Sequence, residues 1–241
     1  MATATACGGD NGDNDTGDNG GVVVVPAGTR GAQTPEAPVA TPASTTPSPV
    51  ATTAAGNGSA LRGFAFPIAG GCLPQGDQLM PNAPRNYRQG THEGVDFYNV
   101  DNCTPIGLGT PVLAAQAGRV VRVDSSYRDP TAAEMSVLLA NPTTAEALDA
   151  FRGRQVWIDH GNGIVTRYCH LSEVAAGLEV GSTVGRGQLI AYVGESGTPE
   201  SVNNPGREYH LHFEVRVGAS YLGAGESPAE VRDLYVTLFG Q

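Results

Sequence analysis

The sequence predicts a mainly antiparallel β domain with a short helical insertion and a C-terminal helix, preceded by a disordered tail. Three observations lead there. The 241 residues include 33 Gly and 17 Pro, a load that suits turns and short strands better than long helices. The clearest apolar pattern has period two: from His210 to Val217, His210, His212, Glu214 and Arg216 share one face and Leu211, Phe213, Val215 and Val217 the other. Composition also changes abruptly near residue 60. Residues 1–60 hold no aromatic residue, and their branched aliphatic residues are confined to Val22–Val25, Val39 and Val50.

That first segment passes from a Gly/Asp/Asn run, Gly8 to Gly21, into a Pro/Thr/Ala/Ser run, Pro35 to Ser59. It cannot bury enough apolar surface to offset the entropy of ordering it, so it reads as a tether, part flexible and part extended. Residues 61–241 are then one domain, long enough for a single well-buried core. Within it, Thr110 to Val123 reads as two short strands about a turn at Gly118. An insertion at about 125–154 carries two helical stretches. Residues 130–140 start at Pro130 with Asp129 as N-cap, and residues 144–152 follow Thr143, with Glu146 completing a capping box. Val156 to Asp159 and Ile164 to Tyr168 flank His160-Gly161-Asn162-Gly163, a strong hairpin signal. Gln188 to Val193 is another apolar strand. The last helix begins at Ser227-Pro228-Ala229-Glu230 and puts Val231, Leu234, Tyr235 and Leu238 on one face.

The formal net charge is −10, and all 14 basic residues are arginine against 24 acids. A phosphate-tracking surface for nucleic acid is not expected. No stretch approaches the roughly 18 apolar residues of a spanning helix. Of the four cysteines, Cys72 and Cys103 flank a loop-dense segment that an extracytoplasmic protein would bridge. Cys169 reads as a small buried hydrophobe inside a strand. Cys7, after Ala4-Thr5-Ala6 and before the tether, resembles the first residue of a mature bacterial lipoprotein and is a candidate lipid anchor. The six residues before it contain no apolar export segment, and the other reading is an incidental thiol in the tail.

The chemistry is concentrated in five histidines: His92, His160, His170, His210 and His212. His92 and Asp96 stand four apart around Gly94. A straight strand would hold them about 13 Å apart, and Gly94 can supply the bend that brings them together. His210 and His212 project from one strand face at about 6–7 Å spacing, so one can bind a metal while the other stands near its bound water. Two histidines and an aspartate with a fourth position open are the donor set of a catalytic zinc site. His160 reads as a structural residue fixing the Asn-Gly turn.

His92-x-Gly94-x-Asp96, Tyr168-Cys169-His170-Leu171 and His210-Leu211-His212-Phe213-Glu214 occur in the order used by lysostaphin-type zinc endopeptidases, the LytM-domain enzymes of bacterial cell walls. Gly109 to Ala115 and His160 to Gly163 also resemble that family, and the resemblance spans about residues 64–223. It implies an antiparallel β-sheet sandwich or barrel hybrid with a groove across one sheet. It also implies Zn²⁺ held by His92, Asp96 and His212, and a catalytic pair, His170 and His210, acting on a metal-activated water. Tyr168, two before His170 and placed on the same strand face, is a candidate contact to substrate or transition state, with a packed strand aromatic as the alternative. The implied activity is hydrolysis of peptide bonds in peptidoglycan stem or crossbridge peptides. It would proceed outside the cytoplasm, by a monomer, secreted or lipid-anchored.

Two departures stand out. The family's Phe-Gly-x-Arg upstream of the first histidine is replaced by Asn82-Ala83-Pro84-Arg85-Asn86-Tyr87-Arg88, and the 125–154 insertion is additional. A non-catalytic LytM-type domain that activates an amidase is the alternative, but such domains have lost ligands and all five positions are filled here. A histidine phosphocarrier would leave Asp96 without a task.

Overall fold

A computed structural model describes residues 61–241; the tether at 1–60, its boundary and Cys7 lie outside the described residues. A hairpin, β1 (Pro84–Arg85) and β2 (Gly90–Thr91), precedes β3 (Val95–Tyr98). Next come β4 (Pro111–Leu113) and β5 (Gly118–Val123), then helices α1 (Ala132–Ala140) and α2 (Ala145–Phe151). They are followed by β6 (Val156–Asp159), β7 (Ile164–Cys169), β8 (Leu171–Val174), β9 (Thr183–Val184) and β10 (Leu189–Val193). Helix α3 (Pro199–Asn203), strands β11 (His210–Val217) and β12 (Ser220–Tyr221), and helix α4 (Pro228–Phe239) complete the chain.

The seven-stranded sheet runs β12-β11-β7-β6-β5-β9, with β3 also paired to β11, and a three-stranded sheet runs β4-β10-β8. All pairings are antiparallel. The sandwich or barrel hybrid is therefore corrected to a mixed α/β domain with open antiparallel sheets. The large sheet ends on β9 and β12, two residues each, and neither pairs onward to close a ring. After β7, an interior strand, the chain leaves the large sheet. His170 takes a left-handed φ of 61°, so β7 and β8, though consecutive, belong to different sheets.

Alternation along β11 places Leu211, Phe213 and Val215 in the main core, with Val95, Phe97, Ile158, Ile190 and Leu171. Helix α4 starts with the Ser227–Glu230 capping box and buries Val231, Tyr235 and Leu238 in the same core. The insertion has a small core of its own, Met135, Ala147 and Phe151. Both of its helices begin one or two residues later than their sequence signals suggest. Thr131 caps α1, in a capping box with Glu134, because the Asp129 carboxylate instead accepts from Gly197 N–H at 2.7 Å. Thr144, not Thr143, caps α2. No helix among the described residues is long and apolar enough to cross a membrane.

Candidate metal centre

Strand register builds the site. Antiparallel pairing of β3 with β11 sets Asp96 opposite His212 and Tyr98 opposite His210. His92 joins them from the turn before β3, where its N–H donates to Ala83 O and its carbonyl accepts from Asn82 N–H. Gly94 matters here for space: a Cβ would collide with the Phe213 carbonyl and press on the His212 ring, so only glycine lets this turn approach β11. Its φ lies outside the left-handed region, so the reading of Gly94 as a special bend is corrected to one of close approach.

Three atoms converge as a result. His92 Nε2 lies 3.0 Å from His212 Nδ1, and Asp96 Oδ1 lies 2.9 Å from the first and 2.8 Å from the second. All three residues are buried. Each has its outer atom engaged elsewhere: His92 Nδ1–H donates to Met80 O at 2.9 Å, Asp96 Oδ2 accepts from Arg85 at 2.7 Å, and His212 Nε2–H donates to Glu214 at 3.1 Å. These outer bonds fix the tautomers, so the inward atoms of the neutral rings and the carboxylate are all lone pairs. Lone pairs packed this closely repel unless a cation lies among them. A tetrahedral zinc with bonds of about 2.0–2.1 Å separates its ligand atoms by about 3.3 Å, close to this triangle. The residues fit a zinc ion.

The proton equilibria agree. Burial lowers the His92 pKa to about 4 despite Asp96 beside it. Burial opposes charge on Asp96, but the flanking His92 and His212 hold its pKa well below the ordinary carboxylate value. At His212 burial is outweighed by the Asp96 and Glu214 carboxylates, and the pKa rises.

Two further imidazoles stand beside it. His210 donates from Nδ1 to Glu208 O at 2.5 Å, and its Nε2 is 3.8 Å from Asp96 Oδ1. His170 donates from Nδ1 to Ser196 O at 2.8 Å, with its ring centre 4.5 Å from that of His210. Burial lowers both pKa values, so both rings are neutral near pH 7 with Nε2 lone pairs available. All five residues line one cleft of about 450 Å³.

Tyr168 is corrected. It is fully buried in the main core and does not line the cleft. The left-handed turn at His170 breaks the alternation that would have put the two on one face. The Tyr168 hydroxyl accepts from Ala115 N–H and is hydrogen-bonded to Thr166 Oγ1, which also meets His160 Nε2, while His160 Nδ1–H donates to Ala117 O. His160 is thus a structural link. Cys169 is buried, and burial drives its thiol pKa well up, so it is no nucleophile. Cys72 and Cys103 are joined in a disulfide with Cα atoms 5.4 Å apart.

Sequence reasoning missed four residues. Arg85 lies in the stretch set aside as a departure, yet it orients Asp96. Tyr98 stacks on His210 at 4.2 Å and donates to Glu208; its place two residues after Asp96 on an alternating strand was the available signal. Glu214 shares the face of His210 and His212, and it is fully buried as the partner of His212. Arg152, at the end of α2, donates to Glu214 at 2.6 Å and to Glu93 at 2.5 Å. No local pattern announces that pairing.

Residues 90–224, more than half of the chain, match the family described as Peptidase family M23. The chain is 30% identical over 134 residues to the peptidoglycan DD-endopeptidase ShyA of Vibrio cholerae serotype O1 (strain ATCC 39315 / El Tor Inaba N16961). That match takes in 56% of this chain and 22% of ShyA, so the chain spans under a quarter of that relative's length. Among solved structures it is similar to a zinc containing peptidase from Vibrio cholerae, at 25% identity and TM-score 0.44, covering 69% of this chain and 40% of that one. It is also similar to the catalytic domain of the antimicrobial peptidase lysostaphin from Staphylococcus simulans, at 24% identity and TM-score 0.36, covering 61% and 81%.

Proposed function

This chain belongs to peptidase family M23, and on that premise we propose that it is a zinc-dependent endopeptidase hydrolysing peptide bonds in peptidoglycan stem or crossbridge peptides. The observation that carries this reading is the triangle of inward lone pairs on His92, Asp96 and His212, each held from behind by a partner that fixes its protonation. His92, Asp96 and His212 would hold a zinc ion, which would supply a Lewis acid able to bring the pKa of a bound water to about 7. The chain's own part is proton handling. His170 and His210, neutral and with Nδ1–H donated outward, offer Nε2 as acceptor for the proton of the attacking water. Once protonated, the same nitrogen becomes a donor, able to face the developing oxyanion and to pass the proton to the leaving amine. Arg85 keeps Asp96 turned to the triangle, and Tyr98 holds the His210 ring by stacking.

The same reading places the chain outside the cytoplasm, where a Cys72–Cys103 disulfide is at home. Anchoring through Cys7 and action as a monomer go with it. The test is digestion of two purified peptidoglycans, one glycine-bridged and one directly crosslinked, with new amines located by mass spectrometry and a chelated control alongside. Zinc-dependent release of amines from either wall is expected. Zinc bound with neither wall cut would overturn the reading in favour of a non-catalytic binding domain.

A further inference from the structure

The hairpin of β1 and β2 carries two arginines into the cleft, with opposite fates. Arg85 is committed to Asp96. Arg88 also lines the cleft and is 93% buried, but its only protein partner among the described residues is Thr91 O, reached from Nη2 at 2.6 Å. Its Nε is sealed from solvent with no acceptor, and no acceptor meets Nη1. Among the described residues no carboxylate lies within ion-pair distance of Arg88, and it stacks on no ring. The cleft's third arginine, Arg152, is neutralised by Glu93 and Glu214. Of the carboxylates lining the cleft, Glu208 takes the Tyr98 hydroxyl, and neither it nor Glu200 reaches an arginine.

A buried guanidinium that lacks a counter-ion is costly, and natural sites keep one where a ligand completes it. The guanidinium fork suits a carboxylate, and the anion it gains is held by charge-assisted bonds. We propose that Arg88 is a specificity-determining residue that binds a free carboxylate of the substrate peptide, in the same cleft as the His92/Asp96/His212 triangle. The assignment rests on the peptidase reading for its choice of ligand. It makes the site selective for peptides that present an unblocked carboxylate near the bond to be cut, and Arg88 acts there by positioning the chain without joining in the proton transfers.

The experiment uses a crosslinked wall peptide in two forms, with its carboxylates free and with them converted to carboxamides. Binding of each to the zinc-loaded full chain is measured by calorimetry, and cleavage is followed in parallel. The free acid is expected to bind about 10-fold or more tighter than the amide, with the difference falling mainly in KM. In Arg88→Met the two forms should bind alike, at the level of the amide in the unaltered protein, and Arg88→Lys should recover part of the preference. The comparison of acid with amide on the unaltered protein needs no variant, so misfolding of Arg88→Met does not rescue the idea. Equal binding of acid and amide overturns it, as does a preference that survives in folded Arg88→Met. Failure of the peptidase reading looks different: neither peptide is cut, while the preference for the acid and its loss in Arg88→Met remain.

Discussion

The donor triangle and the His170 ring lie a few ångströms apart and are held by different kinds of structure. Asp96 and His212 face each other across a strand pair, so their spacing is set by backbone register, and His92 is clamped to residues 82 and 83 by two backbone hydrogen bonds. The Cys72–Cys103 disulfide encloses the whole segment that carries His92 and Asp96. His170, in contrast, sits where the chain leaves one sheet for another, at a left-handed φ, with its N–H donated to Arg152 O and its ring to Ser196 O. Both of those carbonyls belong to segments outside the large sheet. Gly153, at φ 66°, packs so closely on Ser196 that a Cβ there would collide with the Ser196 carbonyl. The three candidate ligands, and His210 beside them on β11, are thus built into the sheet, whereas His170 depends on the insertion and on the loop at 195–197.

That division can be broken experimentally. The largest effect belongs to the triangle: His212→Ala or Asp96→Ala removes one of three protein ligands, and zinc measured after dialysis should fall to background. Full occupancy in either variant would mean the ligand set is wrong. Next, His170→Ala should keep zinc at wild-type stoichiometry while kcat falls by about 10²–10⁴-fold, the usual contribution of a positioned acid or base. Loss of zinc in this variant would show that the two sides are not separable.

Reduction of the disulfide tests the first side through stability. Releasing a loop with a sequence separation of 31 residues should cost about 3.7 kcal/mol on the chain-entropy account. An unchanged melting curve in reductant would remove the disulfide from the scaffold. The smallest effect tests the link between the sides. Arg152 comes from the insertion, yet its side chain grips Glu214, which holds the outer nitrogen of His212. Arg152→Met should weaken zinc affinity by about 10–100-fold, the range for partners that orient metal ligands. Competition with a chromophoric chelator measures this, and unchanged affinity would mean that Arg167 and Arg216 suffice to hold Glu214.

Much of the site was legible because its signals are local. His210-x-His212 on an alternating strand shows two imidazoles on one face whatever the rest of the fold, and β11 spans the residues that alternate. The Asn-Gly hairpin and the Ser227 cap were readable for the same reason, since a turn or a cap is decided within four residues. Tyr168 was misplaced because alternation is a property of an uninterrupted strand, and nothing in Tyr-Cys-His-Leu signals a left-handed residue. Closure into a barrel depends on which sheet edges meet, and no short-range pattern carries that.

What the sequence determined by itself is the set of chemical groups and their local spacing: donors of zinc type and the strand faces that present them. The tertiary structure decided which groups are spent and which remain free. His92 meets His212 across 120 residues, Arg152 meets Glu214 across 62, and Arg85 is consumed by Asp96 while Arg88, three residues on, keeps only Thr91 O and gains no carboxylate among the described residues. The physical reason is that protonation and pairing depend on burial and on neighbours from distant segments, and these exist only once the sheets have formed.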